Sequence, residues 1–87
     1  MANDQRISDT MAQALNNQMM EEAIQAQAYL ALGSWAEVNN YAGVADFFYK
    51  HSEEERTHMF KFLEYINARG GEARITGIPA PLDNPAS

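Results

Sequence analysis

The chain has 87 residues, no cysteine and a formal net charge of −6 at pH 7. This length allows one small domain, and the lack of cysteine excludes disulfides and thiolate metal sites. The acidic balance argues against a nucleic-acid partner, which requires a basic surface. No stretch reaches the length of a membrane span, and the N-terminus lacks the apolar run of a secretory signal. We therefore expect no membrane partner and a cytoplasmic location.

The first long element is predicted to be a helix from about residue 9 to residue 39. Residues 1–8 are predicted to be a flexible lead, with Ser8 or Asp9 as the helix N-cap. The helix is rich in Ala, Gln, Glu, Met and Leu and contains no proline. Its main stripe advances in alternating steps of four and three residues, which is typical of a helix packed against other helices. The stripe consists of Leu15, Met19, Glu22, Ala26, Tyr29, Gly33 and Ala36.

A short break separates this helix from a second one. Residues 39–43 (NNYAG) interrupt the pattern, because paired Asn and Gly accept the left-handed conformations that end a helix or turn the chain. The second helix is predicted from about residue 44 to residue 69, and its stripe has the same spacing. That stripe consists of Val44, Phe48, His51, Glu55, His58, Phe62 and Tyr65.

These patterns predict an all-α fold in which residues 9–71 form an antiparallel two-helix hairpin, because a short connection makes two long helices antiparallel neighbours. Residues 72–87 contain all three prolines of the chain and cannot continue a helix. They are predicted to form an extended tail.

Three ionisable residues of these two stripes are candidate metal ligands. Glu55 and His58 are three residues apart and share one helix face, and Glu22 occupies the stripe of the first helix. At about 1.5 Å per residue, Glu22 lies about 30 Å from the turn and the other two lie about 20–25 Å from it. The hairpin can therefore bring the three side chains to a common point, where oxygen and imidazole ligands suit Fe, Mn or Zn.

A helical-bundle di-iron site needs a Glu from each of two helices and a Glu-x-x-His from each of the other two. One copy of this chain supplies half of that set, so we expect two copies to pair into a four-helix bundle and to share the site. A lone Glu-x-x-His is more often a solvated pair. The matching level of Glu22 is the feature that favours a metal site.

Three further residues lie near the proposed site. Tyr29 and Glu54 each have two interpretations, and His51 has only a structural one. Tyr29 fills the core with its hydroxyl satisfied or, beside a di-iron site, hydrogen-bonds a ligand or donates an electron. Glu54 points away from Glu55 and is either solvated or holds a secondary cation. We interpret His51 as an interior or boundary histidine rather than a ligand.

Three segments resemble the first two helices of prokaryotic ferritins. They are residues 15–22 (LNNQMMEE), 29–35 (YLALGSW) and 47–59 (FFYKHSEEERTHM), within a resemblance that extends from about residue 15 to residue 78. The resemblance implies a ferritin-like four-helix bundle and the oxidation of Fe(II) by oxygen or peroxide for iron storage in a cage of 24 subunits. It also implies that Glu22, Glu55 and His58 bind iron, with Glu55 bridging two metals.

The same resemblance assigns Tyr29 to the tyrosine near the ferroxidase centre and Glu54 to a position that helps to hold a third iron in some bacterial ferritins. A ferritin subunit has four long helices and a short fifth one, whereas this sequence ends in what resembles the crossover after the second. We therefore expect a natural or engineered half-ferritin, or a fragment. The alternatives are a helical assembly module without catalytic activity and a dimer that binds Zn or Mn structurally.

Overall fold

The computed structural model describes residues 6–81, and these residues form an antiparallel hairpin of two helices. Helix α1 spans Asp9–Val38 and helix α2 spans Ala42–Ala68. No strand occurs within the described range. The all-α hairpin that the sequence predicted is therefore confirmed. Neither helix in this range has an apolar stretch long enough for a membrane crossing.

The helix ends follow from local chemistry. The Ser8 hydroxyl accepts a hydrogen bond from the Met11 amide at 3.1 Å, which caps α1. Asn40 adopts a left-handed backbone with φ of 68°, and this residue reverses the chain. Helix α2 begins two residues before the predicted start at residue 44, because Gly43 takes a helical conformation rather than a turn conformation. Gly70, with φ of 81°, follows the end of α2.

The core is a narrow stripe between the helices. The residues with the most buried side chains are mostly small, which lets the two helix backbones approach closely. They are Met19, Ala26, Ala36, Ala45 and Ile66, with Ile7 covering one end. The hairpin is 54 Å long and about 20 Å across, so one copy cannot enclose the remaining apolar side chains. Many of these stay exposed, including Met11, Val44, Phe47 and Tyr65.

The segments that precede α1 and follow α2 both contact the hairpin. The backbone amide of Arg6 donates to the Arg69 carbonyl at 2.8 Å. The buried side chain of Asn16 donates to the Glu72 carbonyl at 3.0 Å and accepts from the Arg74 amide at 2.7 Å. Residues 72–81 have no regular secondary structure. The rest of the predicted lead and tail, residues 1–5 and 82–87, lies outside the described residues.

Candidate metal centre

Two carboxylates and an imidazole meet between the helices. Nδ1 of His58 lies 2.9 Å from Oε1 of Glu55 and 3.2 Å from Oε1 of Glu22. The three potential ligand atoms all lie within 4.8 Å of one another. The structure thus brings Glu22, Glu55 and His58 together, as their distances from the turn along the two helices predicted.

The packing of the helices fixes this meeting point. Glu22 lies on α1 between the buried residues Met19 and Ala26, so its carboxylate lies at the edge of the interface between the two helices. Three residues before Glu55, the buried Ser52 hydroxyl donates to the Ala26 carbonyl at 2.7 Å. This bond sets the register of α2 against α1 one turn from the cluster. Sequence reasoning missed Ser52, although a small polar residue in an apolar stripe was the available signal.

The cluster is open on one side. The side chains of Glu22 and Glu55 are 12% and 15% exposed, whereas the His58 side chain is 53% exposed. The second oxygen of Glu22 accepts a hydrogen bond from Gln18 at 2.8 Å, and this oriented carboxylate points its other oxygen at His58. The sequence analysis also missed the hydrogen bond from Gln18. The sequence shows that Gln18 lies one turn before Glu22, but it does not show the side-chain rotamer.

The three groups of the cluster shift one another's pKa values. The hydrogen bond with Glu22 and burial raise the pKa of Glu55. Burial also pushes the pKa of Glu22 upward, but hydrogen bonds from Glu55, Gln18 and His58 outweigh burial and lower it. Hydrogen bonds to Glu22 and Glu55 raise the pKa of His58. Glu55 and His58 therefore hold their protons more readily than free groups do, and Glu22 holds its proton less readily.

Two predicted site residues lie outside this cluster. Tyr29 stacks on Phe48 with ring centroids 6.0 Å apart and lies 5.3 Å from the His51 ring. Its hydroxyl makes no hydrogen bond within residues 6–81. Glu54 is 66% exposed, and its Oε1 lies 3.2 Å from Nδ1 of His51. His51 is therefore a partner of Glu54 and of the aromatic rings rather than a member of the cluster.

The donor set fits a first-row divalent metal. Two carboxylates and an imidazole are ligands that Fe, Mn and Zn accept, and three ligands leave coordination positions open. Two carboxylates and an imidazole on the edge of a helical interface form an arrangement that is also found in helical-bundle proteins with carboxylate metal sites. The cluster and the apolar side chains around it face the side that a second pair of helices would cover.

The chain belongs to the ferritin-like domain family, whose model matches residues 12–86. It is 41% identical over 75 residues to a bacterial non-heme ferritin of Staphylococcus saprophyticus, covering 86% of this chain and 45% of that protein. The corresponding Staphylococcus aureus protein is 39% identical over the same length, with the same coverage. The chain thus spans about half the length of the curated relatives it matches.

Solved ferritin structures have the same hairpin. Chlorobium tepidum ferritin superposes with a TM-score of 0.84 at 36% identity, covering 93% of this chain and 48% of that one. An open-pore ferritin from Archaeoglobus fulgidus gives a TM-score of 0.88 at 26% identity, covering 97% of this chain and 51% of that one. The resemblance to the first part of a ferritin that the sequence indicated is confirmed.

Proposed function

We propose that this chain binds Fe(II) as a substrate and oxidises it to Fe(III) for iron storage, at a di-iron site assembled between two copies. The observation that carries the proposal is the convergence of Glu22, Glu55 and His58, whose ligand atoms lie within 4.8 Å of one another. Membership of the ferritin-like family and the non-heme ferritin relatives support iron as the metal.

The second copy supplies the missing ligands. Each hairpin contributes two carboxylates and one imidazole, and two hairpins together give the four Glu and two His of a helical-bundle di-iron site. Glu55 contacts both Glu22 and His58, and the resemblance to ferritins assigns it to bridge the two irons. The carboxylates favour the harder Fe(III) product, while open positions admit the oxidant.

The reaction balances with dioxygen as the electron acceptor. Two Fe(II) ions each lose one electron, and one dioxygen takes both electrons and two protons to become hydrogen peroxide. Tyr29 lies two turns from Glu22 and its hydroxyl is not engaged with a ligand within residues 6–81. Of its two predicted roles we therefore favour electron donation. In that case the phenol supplies one electron and one proton, three Fe(II) ions supply three electrons, and one dioxygen takes up these four electrons and four protons to become two waters. We assign Glu54 to a secondary cation outside the cluster, with His51 beside it.

The test compares iron oxidation by the wild-type chain with that of two variants. Fe(II) is added without oxygen, oxygen is then admitted, and Fe(III) formation is followed by near-ultraviolet absorbance. Glu55→Ala should reduce the rate to that of iron in buffer, whereas Glu64→Ala should not change it. Glu64 is the matched control because it is an exposed glutamate of the same helix, outside the cluster.

Two results would contradict the proposal. The site assignment fails if Glu55→Ala oxidises iron as fast as the wild-type chain. If the wild-type chain binds zinc or manganese at Glu22, Glu55 and His58 but oxidises no iron, the structural metal site replaces the ferroxidase. The mass in solution with and without Fe(II) tests whether two copies share the site.

A further inference from the structure

The side of the hairpin that carries the metal cluster has a groove at one end. Met11 and Leu15 of α1 and Phe62 and Tyr65 of α2 line it, and Glu22, His58 and Lys61 lie along its rim. The groove has a volume of about 620 Å³ and is mostly apolar. It lies between the cluster and the end of the hairpin that is remote from the turn. We call it the open-end groove.

The opposite end of the same side, near the turn, carries exposed apolar side chains. Val44 and Phe47 are 45% and 56% exposed, and neighbouring exposed apolar side chains are typical of an interaction surface. The Phe47 ring is held edge-on against Phe48 and His51, with centroids 5.6 Å and 4.3 Å away. Tyr29 lies beside these rings on α1. We call Tyr29, Val44 and Phe47 the turn-end ridge.

The groove and the ridge lie at equal distances on either side of the cluster. Phe47 precedes Glu55 by eight residues and Tyr65 follows His58 by seven, so each is about 10–12 Å along α2 from the cluster. On α1, Tyr29 and Leu15 are each seven residues from Glu22. A two-fold axis through the cluster therefore superposes the ridge of one copy on the groove of another.

Two oppositely charged residues, Glu54 and Lys61, are also placed symmetrically about the cluster. Glu54 and Lys61 are seven residues apart and so occupy the same position of the helical repeat. In an antiparallel pair related by a two-fold axis, residues equally far before and after the axis along α2 lie at the same level on the two copies. Their midpoint falls between Thr57 and His58, at the level of the cluster. Within the described part of the chain, Lys61 makes no ion pair. In the same range, the one charged-group contact of Glu54 is with His51.

We propose that the occupant of the open-end groove is the turn-end ridge of a second copy, docked antiparallel so that Glu54 of each copy faces the partner's Lys61. The register of this docking rests on the two-copy site proposed above, but its evidence is the shape and charge of the hairpin and not its metal chemistry. Each copy inserts one ridge and receives one, so the contact is closed and self-complementary. The metal clusters of the two copies then face each other.

The charge pair gives a test of register in the metal-free protein. Glu54→Lys and Lys61→Glu each place two like-charge contacts in a homodimer, and each should weaken dimerisation about tenfold in sedimentation equilibrium. When the two variants are mixed, both contacts become attractive, so heterodimers should form in preference to either homodimer. The double variant Glu54→Lys/Lys61→Glu should dimerise like the wild-type chain. Glu53→Lys makes the same charge change on the neighbouring exposed residue and should have no effect.

The apolar part of the docking has its own matched pair of variants. Phe47→Ala should weaken the dimer at least tenfold, because it removes the centre of the ridge. Phe60→Ala should leave the dimer unchanged, although Phe60 is similarly exposed at 49%, because it does not line the groove or belong to the ridge.

The outcomes separate this docking from the proposed function. A metal-free wild-type chain that stays monomeric overturns the second copy as occupant, in favour of other helices covering the groove. A dimer whose two charge variants mix at random, or that weakens with Phe60→Ala instead of Phe47→Ala, overturns the register. If heterodimers form as expected but iron is not oxidised, the docking stands and only the ferroxidase proposal fails.

Discussion

Gly33 is the residue at which the closest approach of the two helices can be tested. A Cβ added to Gly33 would lie 2.4 Å from Cε1 and 2.6 Å from Cδ1 of Tyr49. Carbon atoms prefer separations of about 3.5–4.0 Å, so the ring of Tyr49 must retreat by about 1 Å in Gly33→Ala. The ring is restrained because its hydroxyl donates to Oε1 of Glu37 at 2.6 Å.

The expected magnitude follows from two opposing contributions. Overpacking in a fitted interface costs about 1–3 kcal/mol. Alanine in place of glycine in a helix returns about 1 kcal/mol. We therefore expect Gly33→Ala to lower the free energy of unfolding by about 1 kcal/mol, which corresponds to a fall in Tm of about 4–8 °C for a domain of this size.

Gly43→Ala is the control with the opposite sign. Gly43 lies in the first turn of α2, and a Cβ there meets nothing within 4 Å, so we expect a gain of about 0.5–1 kcal/mol. Both variants are measured by urea denaturation with circular dichroism at one protein concentration, because any dimer makes stability depend on concentration. In a Tyr49→Ala background, Gly33→Ala should become stabilising. The reasoning is refuted if Gly33→Ala stabilises the parent chain as much as Gly43→Ala does.

Three further outcomes follow from single contacts. Ser8→Ala removes the N-cap of α1 and should cost about 1 kcal/mol in the same denaturation assay. Asn16→Leu removes both side-chain bonds to residues 72–74 while preserving size, so hydrogen exchange at the Arg74 amide should accelerate while both helices remain. The hydrogen bond to Glu37 raises the pKa of Tyr49, so this contact stabilises the fold below the ordinary tyrosine pKa and is lost as pH rises through the higher folded value. Tyr49→Phe should remove from an ultraviolet titration a phenol that ionises above the ordinary tyrosine pKa.

The helices were predictable because their signals are local and repeated. The alternation of four- and three-residue steps identified both stripes, and Gly33 and Ala36 lie buried on the predicted seam of α1. The start of α2 was predicted less well, since Gly43 signals a turn by composition but adopts a helical backbone here. The attachment of residues 72–74 to Asn16 was not predictable, because it joins positions more than fifty residues apart through one side chain.

The cluster was predictable because it needs only helical spacing and the level of each residue relative to the turn. Those two rules place Glu22 opposite Glu55 and His58 without knowledge of rotamers. They do not reveal that Ser52 sets the register or that Gln18 orients a carboxylate, because both depend on which way one side chain turns. Contacts of this kind become visible only when the helices are packed.

The three polar residues of the cluster depart from the apolar pattern of the helix stripes, and this departure is an argument for a bound cation. Apolar side chains occupy most of the neighbouring stripe positions, so packing alone would favour apolar residues at Glu22, Glu55 and His58 as well. Instead, two carboxylates approach closely enough for Glu22 to raise the pKa of Glu55. Glu54, the next residue along the chain, avoids this conflict by facing outward at 66% exposure. A divalent cation neutralises both carboxylates at once and uses the imidazole, and no other partner within residues 6–81 does so.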